Sequence, residues 1–407
     1  MYLKKITTWF HNVHLSDYYY LLVTFGYILT LFVTQMRPGL FATLLMFLVI
    51  LELVLKRELA IKSILDWLVV SYVVYNLLSI IWLSKNGYPA SVYVQEFSNS
   101  ILPIVFYFVG TSAGIRTKDF YKKYLYALLV ICLLGLLLYI IAPQFYLDYL
   151  LDWEYTSKAD AQTMRVRMNS VIGSTLLGFL AAVGIPVSSY FIMEKKDRLF
   201  GIIMLAMSLV FAFLSNQRSA MVVAILAVLY VNHLIFFEFK LIKRKYFMVE
   251  CGTILLAFIC LCIISLSSVQ KIYYRLASLP SAIGERSGAW FSALNHMSSI
   301  WFGNGLGANG HKALGIEFAH VITDGGLIKV FCEEGIFGFS IFLAILILVT
   351  LGGLKQIKHC YADLCIIAIT LLQSIGSNIL SFQIAVPIFW FAIGHIASIK
   401  MQKDKID

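Results

Sequence analysis

The sequence predicts an all-α membrane protein with about 12 transmembrane helices and one long extracytoplasmic loop. The 407 residues are 60% hydrophobic and only 13% charged, and the mean hydropathy is +0.84. A soluble domain carries about 25% charged residues, so a soluble fold is excluded. The apolar runs are continuous over about 18–22 residues instead of alternating, which indicates helices rather than the strands of a barrel. We therefore expect a single integral membrane domain over residues 1–407.

The predicted spans follow the apolar runs along the chain. They cover, approximately, residues 17–35, 39–55, 64–83, 98–115, 124–142, 171–193, 198–214, 219–237, 247–268, 326–353, 362–381 and 383–399. The tenth span is long enough to begin as a short separate helix. Residues 269–325, between the ninth and tenth spans, form the long loop.

The distribution of basic residues gives the chain a direction. With the N-terminus in the cytoplasm, the inside segments hold 21 of the 32 Lys and Arg residues, as the positive-inside rule expects. Both termini are then cytoplasmic, and the loop at 269–325 faces outward from the cytoplasmic (inner) membrane. The net charge of +10 reflects this topology and contact with anionic lipid, so nucleic acid binding is not expected.

A few arginines lie on the outer side, against this bias. They are Arg165, Arg167, Arg218, Arg275 and Arg286. The planar guanidinium fork suits phosphate, which predicts a phosphate or pyrophosphate ligand at the outer surface. For Arg218, at the junction of the seventh and eighth spans, the alternative is an arginine that snorkels from a helix end. Arg286 lies in a predicted helix, residues 285–302, that either rests on the membrane surface or covers a cavity with Arg286 pointing inward.

The glycines of the loop match a nucleotide-binding pattern by spacing alone. Gly305, Gly307 and Gly310 give G-x-G-x-x-G, but no βαβ pattern surrounds them, so dinucleotide binding is rejected. We expect the glycines to form a tight turn that lets the backbone approach a ligand closely. The histidines and carboxylates of the loop match no metal-binding spacing, so no metal is expected.

Two loop residues are candidate catalytic bases. A histidine or a carboxylate can deprotonate an acceptor hydroxyl as it attacks, and His320 and Asp324 both fit this role. Asp324 lies directly before the tenth span, so its alternative role is a helix cap. Farther on, Glu333 and Glu334 need a partner at membrane depth, and we expect one of them to pair with an outer arginine.

Taken in order, the outward-facing motifs resemble a known family. They are S-N-Q-R-S-A around Arg218, R-x-x-x-W from Arg286, F-G-x-G-x-G over residues 302–307 and E-x-G-I-x-G from Glu333. This order resembles the bacterial O-antigen ligase and polymerase family of polysaccharide membrane enzymes. The resemblance covers residues 165–338, whereas the first five spans carry no motif.

The resemblance implies an inverting, metal-independent glycosyltransferase that needs no cofactor. Its donor would be a polyprenyl-pyrophosphate-linked glycan. A polymerase of O-antigen or capsule would transfer it to a lipid-linked repeat unit, and a ligase to lipid A core; a chain-length regulator protein is a further implied partner. The residues that would bind the pyrophosphate are Arg167, Arg218 and Arg286. The supporting residues are Glu333, Gly305 and Gly307.

One position departs from the family's pattern. The family shows His-Asn about nine residues before the glutamate of E-x-G-I-x-G, whereas Asp324 stands nine residues before Glu333. His320 lies four residues earlier and is followed by Val321. The base therefore stays open between Asp324 and His320, and the departure favours a polymerase over a ligase.

A transporter of lipid-linked glycans is the alternative from another class, because many spans with internal termini are common among transporters. The sequence shows no internal repeat, and its long loop follows the ninth span instead of the midpoint. An enzyme would elongate a lipid-linked oligosaccharide, whereas a transporter would only move it across the bilayer.

Overall fold

The computed structural model describes residues 14–33, 37–153, 167–194, 196–240, 244–264, 270, 273–274 and 279–403. Every regular element within these ranges is a helix, as predicted. The main helices are α1 Tyr19–Leu29, α2 Pro38–Leu55, α3 Ile64–Lys85, α4 Ala90–Ala113, α5 Thr117–Ile140, α6 Pro143–Trp153, α7 Ser174–Ile192, α8 Arg198–Leu214, α9 Arg218–Glu238, α10 Arg244–Ile264, α11 Leu279–Asn295, α12 Gly326–Lys355, α13 Ile357–Gly376 and α14 Val386–Lys403.

Eight helices within the described ranges are long and apolar enough to cross a membrane. They are α2, α3, α4, α5, α7, α9, α12 and α13. α8 and the Val386–Ile399 part of α14 are apolar but shorter. The helices therefore indicate a polytopic membrane protein, while the count of twelve spans and the direction of the chain stay predictions.

Three helices occupy segments between the predicted spans. α4 begins at Ala90, between the predicted third span (64–83) and fourth span (98–115), and its polar residue Glu96 is buried in the bundle instead of exposed. α6 begins directly after the predicted fifth span, which ends at residue 142. α11 replaces the helix expected over residues 285–302, and it begins earlier and ends at Asn295. Hydropathy alone cannot detect helices whose polar groups find partners inside the protein.

Local signals explain two of the helix starts near the N-terminus. Pro38 opens α2, where its missing N–H costs no hydrogen bond. Ser63 caps α3 in a capping box, in which its hydroxyl accepts from Asp66 N and the Asp66 carboxylate accepts from Ser63 N at 2.7 Å. Asp66 is therefore a capping residue at the end of a span.

α7 is the centre of the bundle. Its apolar window is 89% buried, against 28% for α2, and it packs against α5, α8, α9 and α13. Glycines allow other helices to cross closely, as small residues do in membranes. At the α4–α14 crossing, a Cβ on Gly394 would lie 2.0 Å from the Tyr107 carbonyl oxygen.

α11 packs on α12 through a small apolar cluster of its own. The cluster joins Ala293 of α11 to Ile322 and to Cys332 of α12. Phe291 lies elsewhere on α11 and is 63% exposed. One face of α11 thus covers the start of α12, and its exposed aromatic side chain is of the kind that rests in a membrane interface.

Candidate functional site

α12 is broken at Gly335, whose backbone is non-helical at φ 62° and ψ −167°. Residues 299–310, named here the glycine loop, dock on this break and satisfy its backbone groups. The four hydrogen bonds run from Asn304 N to Cys332 O (2.9 Å), Gly305 N to Glu333 O (2.9 Å), Ile336 N to Ile300 O (2.9 Å) and Phe337 N to Trp301 O (3.1 Å). Non-helical backbone at membrane depth persists only where the protein supplies such partners. The loop and the broken helix therefore form one unit.

Three glycines let this loop approach the helices closely. Gly303, Gly305 and Gly307 have φ values of 72°, 94° and 92°, in the region that favours glycine. A Cβ on Gly303 would lie 2.4 Å from the Glu333 carbonyl oxygen, and one on Gly305 would lie 2.6 Å from Leu83 Cβ. The predicted tight turn is present, and the surfaces that it approaches in this structure are helices α3, α4 and α12, with Val92 of α4 beside Gly307.

Arg286 and Asp324 form an ion pair between α11 and the start of α12. Arg286 Nε donates to Oδ2 of Asp324 at 3.1 Å, and Arg286 Nη2 lies 3.0 Å from the same oxygen. Trp290 Nε1 donates to the Asp324 carbonyl oxygen. Asp324 does not cap α12, because the N-cap residue is Gly325 and no side chain caps it. The two side chains are 29% and 38% exposed, so a ligand can reach them.

The Arg286 guanidinium also lies close to the start of α9. A Cβ added to Gly376, at the end of α13, would lie 3.3 Å from Arg286 Nη1 and 3.4 Å from Ser219 Cβ. Ser219 follows Arg218, the half-buried first residue of α9. The first turn of a helix presents unpaired N–H groups and partial positive charge. The structure thus brings Arg286 and the N-terminus that carries Arg218 to the same place.

Arg167 lies at the same end of the bundle. Its neighbour Met168 donates from its backbone N to the carbonyl of Leu214, the last residue of α8, at 3.0 Å. Gln217 fixes the α8–α9 turn by donating to the hydroxyls of Ser174 and Thr175, each at 2.9 Å. The predicted residues Arg165 and Arg275 lie outside the described residues.

His320 is held by α11 as well. Its Nδ1 is bonded to the Ser292 hydroxyl at 2.9 Å, and its ring stacks on His296 with centroids 3.9 Å apart. Partial burial, and then the charge of His296, lower the pKa of His320 from its ordinary value of 6.5. His320 is therefore neutral at neutral pH. α11 thus contacts both candidate bases, Asp324 through Arg286 and His320 through Ser292.

Glu333 belongs to a buried cluster of charged side chains. The prediction that Glu333 or Glu334 pairs with an outer arginine is wrong, because the cation in this cluster is Lys329. Lys329 Nζ contacts Glu96 Oε1 at 2.6 Å, Glu333 Oε2 at 3.2 Å and the Ser381 hydroxyl at 2.8 Å. The Lys329, Glu96 and Glu333 side chains are each at most 3% exposed. The prediction failed because Lys329, one helical turn before Glu333, already pairs with it. That Lys329–Glu333 spacing of four within an apolar span was the overlooked signal.

Asn309 connects this charge cluster to the His320 segment. Its backbone N donates to Glu333 Oε1 at 3.1 Å, and its side-chain amide donates to the His320 carbonyl at 2.7 Å. The Asn309 carbonyl accepts from Ile322 N at 2.8 Å. A buried asparagine with all these bonds fixes the His320 backbone relative to α12.

The chain matches no known protein-family model and none of the curated proteins against which it was compared. Among the described residues, no group of three or more metal-ligating side chains is present. Independence from metal stays a prediction.

Proposed function

We propose that the protein polymerises polyprenyl-pyrophosphate-linked oligosaccharide repeat units into O-antigen or capsular polysaccharide. The transfer would be inverting, metal-independent and cofactor-free, at the outer face of the cytoplasmic membrane. The Arg286–Asp324 pair beside the start of α9 carries this proposal. A guanidinium fork and a helix N-terminus lie there, which suits a pyrophosphate leaving group, and α11 also contacts His320, a candidate base for a hydroxyl acceptor.

The arginines would bind the donor's pyrophosphate. Asp324 orients Arg286 through its Nε and Nη2 atoms, while Nη1 lies on the side of Gly376 and Ser219. Arg218 and Arg167 would add charge from the start of α9 and from the adjoining segment. Positive groups already in position stabilise negative charge that develops on the leaving group, typically by about 3 kcal/mol per donor.

His320 is the better supported base of the two candidates. The Asp324 carboxylate is ion-paired with Arg286 and is thereby engaged in positioning the guanidinium. His320 is neutral. In the tautomer in which Nδ1–H donates to the Ser292 hydroxyl, Nε2 carries no proton and can accept one. In this assignment Asp324 positions Arg286 rather than taking a proton itself.

The proposed reaction is a single displacement at the anomeric carbon. The acceptor hydroxyl oxygen forms the new bond to that carbon while its proton passes to His320 Nε2. The bond from the anomeric carbon to the pyrophosphate oxygen breaks, and the pyrophosphate leaves with the electron pair. Attack opposite to the leaving group inverts the configuration, and no nucleotide is consumed.

Reconstitution of the purified protein in vesicles tests this function. The vesicles would contain lipid-linked oligosaccharide repeat units but no nucleotide, and the products would be separated by size. We expect chains of two or more repeat units. Transfer to added lipid A core without chain growth would instead identify a ligase, and movement across the bilayer without a new glycosidic bond would identify a transporter.

The pH dependence of transfer should reflect His320. The lowered pKa of His320 predicts activity that persists as pH falls to 6.5 and is lost below it, because the base becomes protonated. Burial, the larger cause of the lowered His320 pKa, remains in His296→Gln, but the charge of His296 is gone, so the loss should move to higher pH. Rates measured from about pH 5 to 8 would show this shift.

The matched control for the pH series is His359→Gln, since His359 lines a cavity elsewhere in the protein, together with Tyr190 and His395. Its profile should coincide with the wild-type profile. A His296→Gln profile that also coincided with the wild type would contradict the role of His320 as the base.

A further inference from the structure

Glu334 differs from Glu96 and Glu333, because no cation within the described part of the chain forms an ion pair with it. Its Oε1 accepts a hydrogen bond from the Tyr72 hydroxyl at 2.6 Å. Its Oε2 is buried and has no hydrogen-bond partner among the described residues. The side chain is 2% exposed and lies on α12 directly beside the break at Gly335. A carboxylate buried in this way is costly unless it is paired or neutral.

The charged groups near Glu334 cannot balance another anion. Lys329 supplies one positive charge, which Glu96 and Glu333 already share. α3 faces Glu334 with the neutral side chains of Tyr72, Tyr75 and Asn76. α14 faces the same region with apolar groups, among them Trp390. If all three carboxyls were ionised, the cluster would hold a net charge of −2 at membrane depth.

A small cavity lies beside the carboxyl. It measures about 20 Å³ and is lined in part by Tyr72, Ser100, Lys329, Glu333, Glu334 and Ser381. That volume is enough for one water molecule, and polar groups line part of its wall.

We propose that Glu334 is an intramembrane proton-binding site, in which the carboxyl carries an exchangeable proton and donates it to one water molecule in this cavity. The proton removes one negative charge from the cluster and supplies the unpaired oxygen with a partner. The protonation state of Glu334 also bears on the glycine loop, because the neighbouring Glu333 binds Asn309 of that loop. Loss of the proton would place an anion next to Glu333, whose carboxylate holds Asn309 and through it the His320 segment. The inference does not depend on the proposed function.

Infrared spectroscopy of the full-length protein in lipid vesicles tests the site. At about pH 7 exposed carboxyls are ionised, so the carbonyl stretch of a protonated carboxyl stands apart from their bands. We expect such a band in the wild type, shifted in D₂O and absent in Glu334→Gln. Glu250→Gln is the matched control, because Glu250 is also buried with both oxygens lacking a described partner. The Glu334 component should survive in this control.

Identical spectra of the wild type and Glu334→Gln would overturn the proposal, and so would loss of the band on addition of sodium at constant pH.

Thermal unfolding provides an independent readout. Glutamine has nearly the shape of a neutral glutamic acid, so Glu334→Gln should fold and keep the wild-type midpoint within a few degrees. Glu333 accepts from Asn309 N through one oxygen and contacts Lys329 through the other, whereas glutamine offers only one acceptor oxygen, so Glu333→Gln should lower the midpoint clearly more. A Glu334→Gln protein that fails to fold, or that loses as much stability as Glu333→Gln, would show that Glu334 is ionised.

Discussion

Replacement of Arg286 by alanine is expected to lower the rate of glycosyl transfer by about 10²–10³-fold, the usual effect of removing one preorganised donor to a developing anion. The physical reason is that Asp324 fixes the guanidinium beside the start of α9, so no reorganisation is needed when charge builds on the pyrophosphate. Arg286→Lys keeps the charge but loses the planar fork, and it should recover only part of the rate. The measurement is initial rates of chain growth with a defined lipid-linked repeat unit.

Two further variants distinguish binding of the pyrophosphate by Arg286 from a nonspecific effect of positive charge in the loop. Lys312 is an exposed cation of the same long loop, and Lys312→Ala should retain the wild-type rate. Asp324→Asn removes the charge that orients Arg286, and its loss should be smaller than that of Arg286→Ala. Equal rates for Arg286→Ala and Lys312→Ala would show that Arg286 does not bind the reacting group. If Asp324→Asn lost more activity than Arg286→Ala, Asp324 would be the better candidate for the base.

Hydropathy predicted the helical membrane fold, because a long apolar run in lipid has few structural choices. It failed where polar groups are satisfied inside the protein. Glu96 lowered the hydropathy before the predicted fourth span, yet its contact with Lys329 allows α4 to begin at Ala90. The break of α12 at Gly335 was suggested only by the length of the span. Its position depends on the glycine loop, which supplies the missing backbone partners.

The sequence identified the loop that carries the candidate site, but not the contacts within it. Charge bias selected Arg286, and a spacing argument selected Asp324, without indicating that the two are ion-paired across 38 positions. The cluster around Lys329 was missed because it joins α4 and α12, which lie 233 positions apart where Lys329 meets Glu96. Such contacts are tertiary, and no local pattern encodes them. The one local pattern that indicated part of the cluster is Lys329, four residues before Glu333 in an apolar span.

Gly303→Ala is expected to destabilise the folded protein by roughly 2–5 kcal/mol, the sum of a left-handed backbone and an overpacked contact. Gly303 has φ 72°, and the added methyl would lie 2.4 Å from the carbonyl oxygen of Glu333 and 2.6 Å from Gly335 N. Both atoms are backbone, so neither can rotate away. The glycine loop would have to leave the break in α12, and Asn304 and Gly305 would lose their hydrogen bonds to it. Thermal unfolding in detergent and protease cleavage within residues 299–310 would both detect the release.

Gly315→Ala is the control that contains the backbone strain without the close contact to α12. Gly315 has φ 89°, but nothing lies within 4 Å of an added Cβ, so only the strain of about 1–2 kcal/mol applies. The difference between the two variants therefore measures how strongly the glycine loop is held on α12. Equal stability of Gly303→Ala and Gly315→Ala would mean that the loop can leave α12 at little cost. In that case the bonds through Asn309 could not hold His320 in a fixed position, and the geometry of the candidate site would depend on α11 alone.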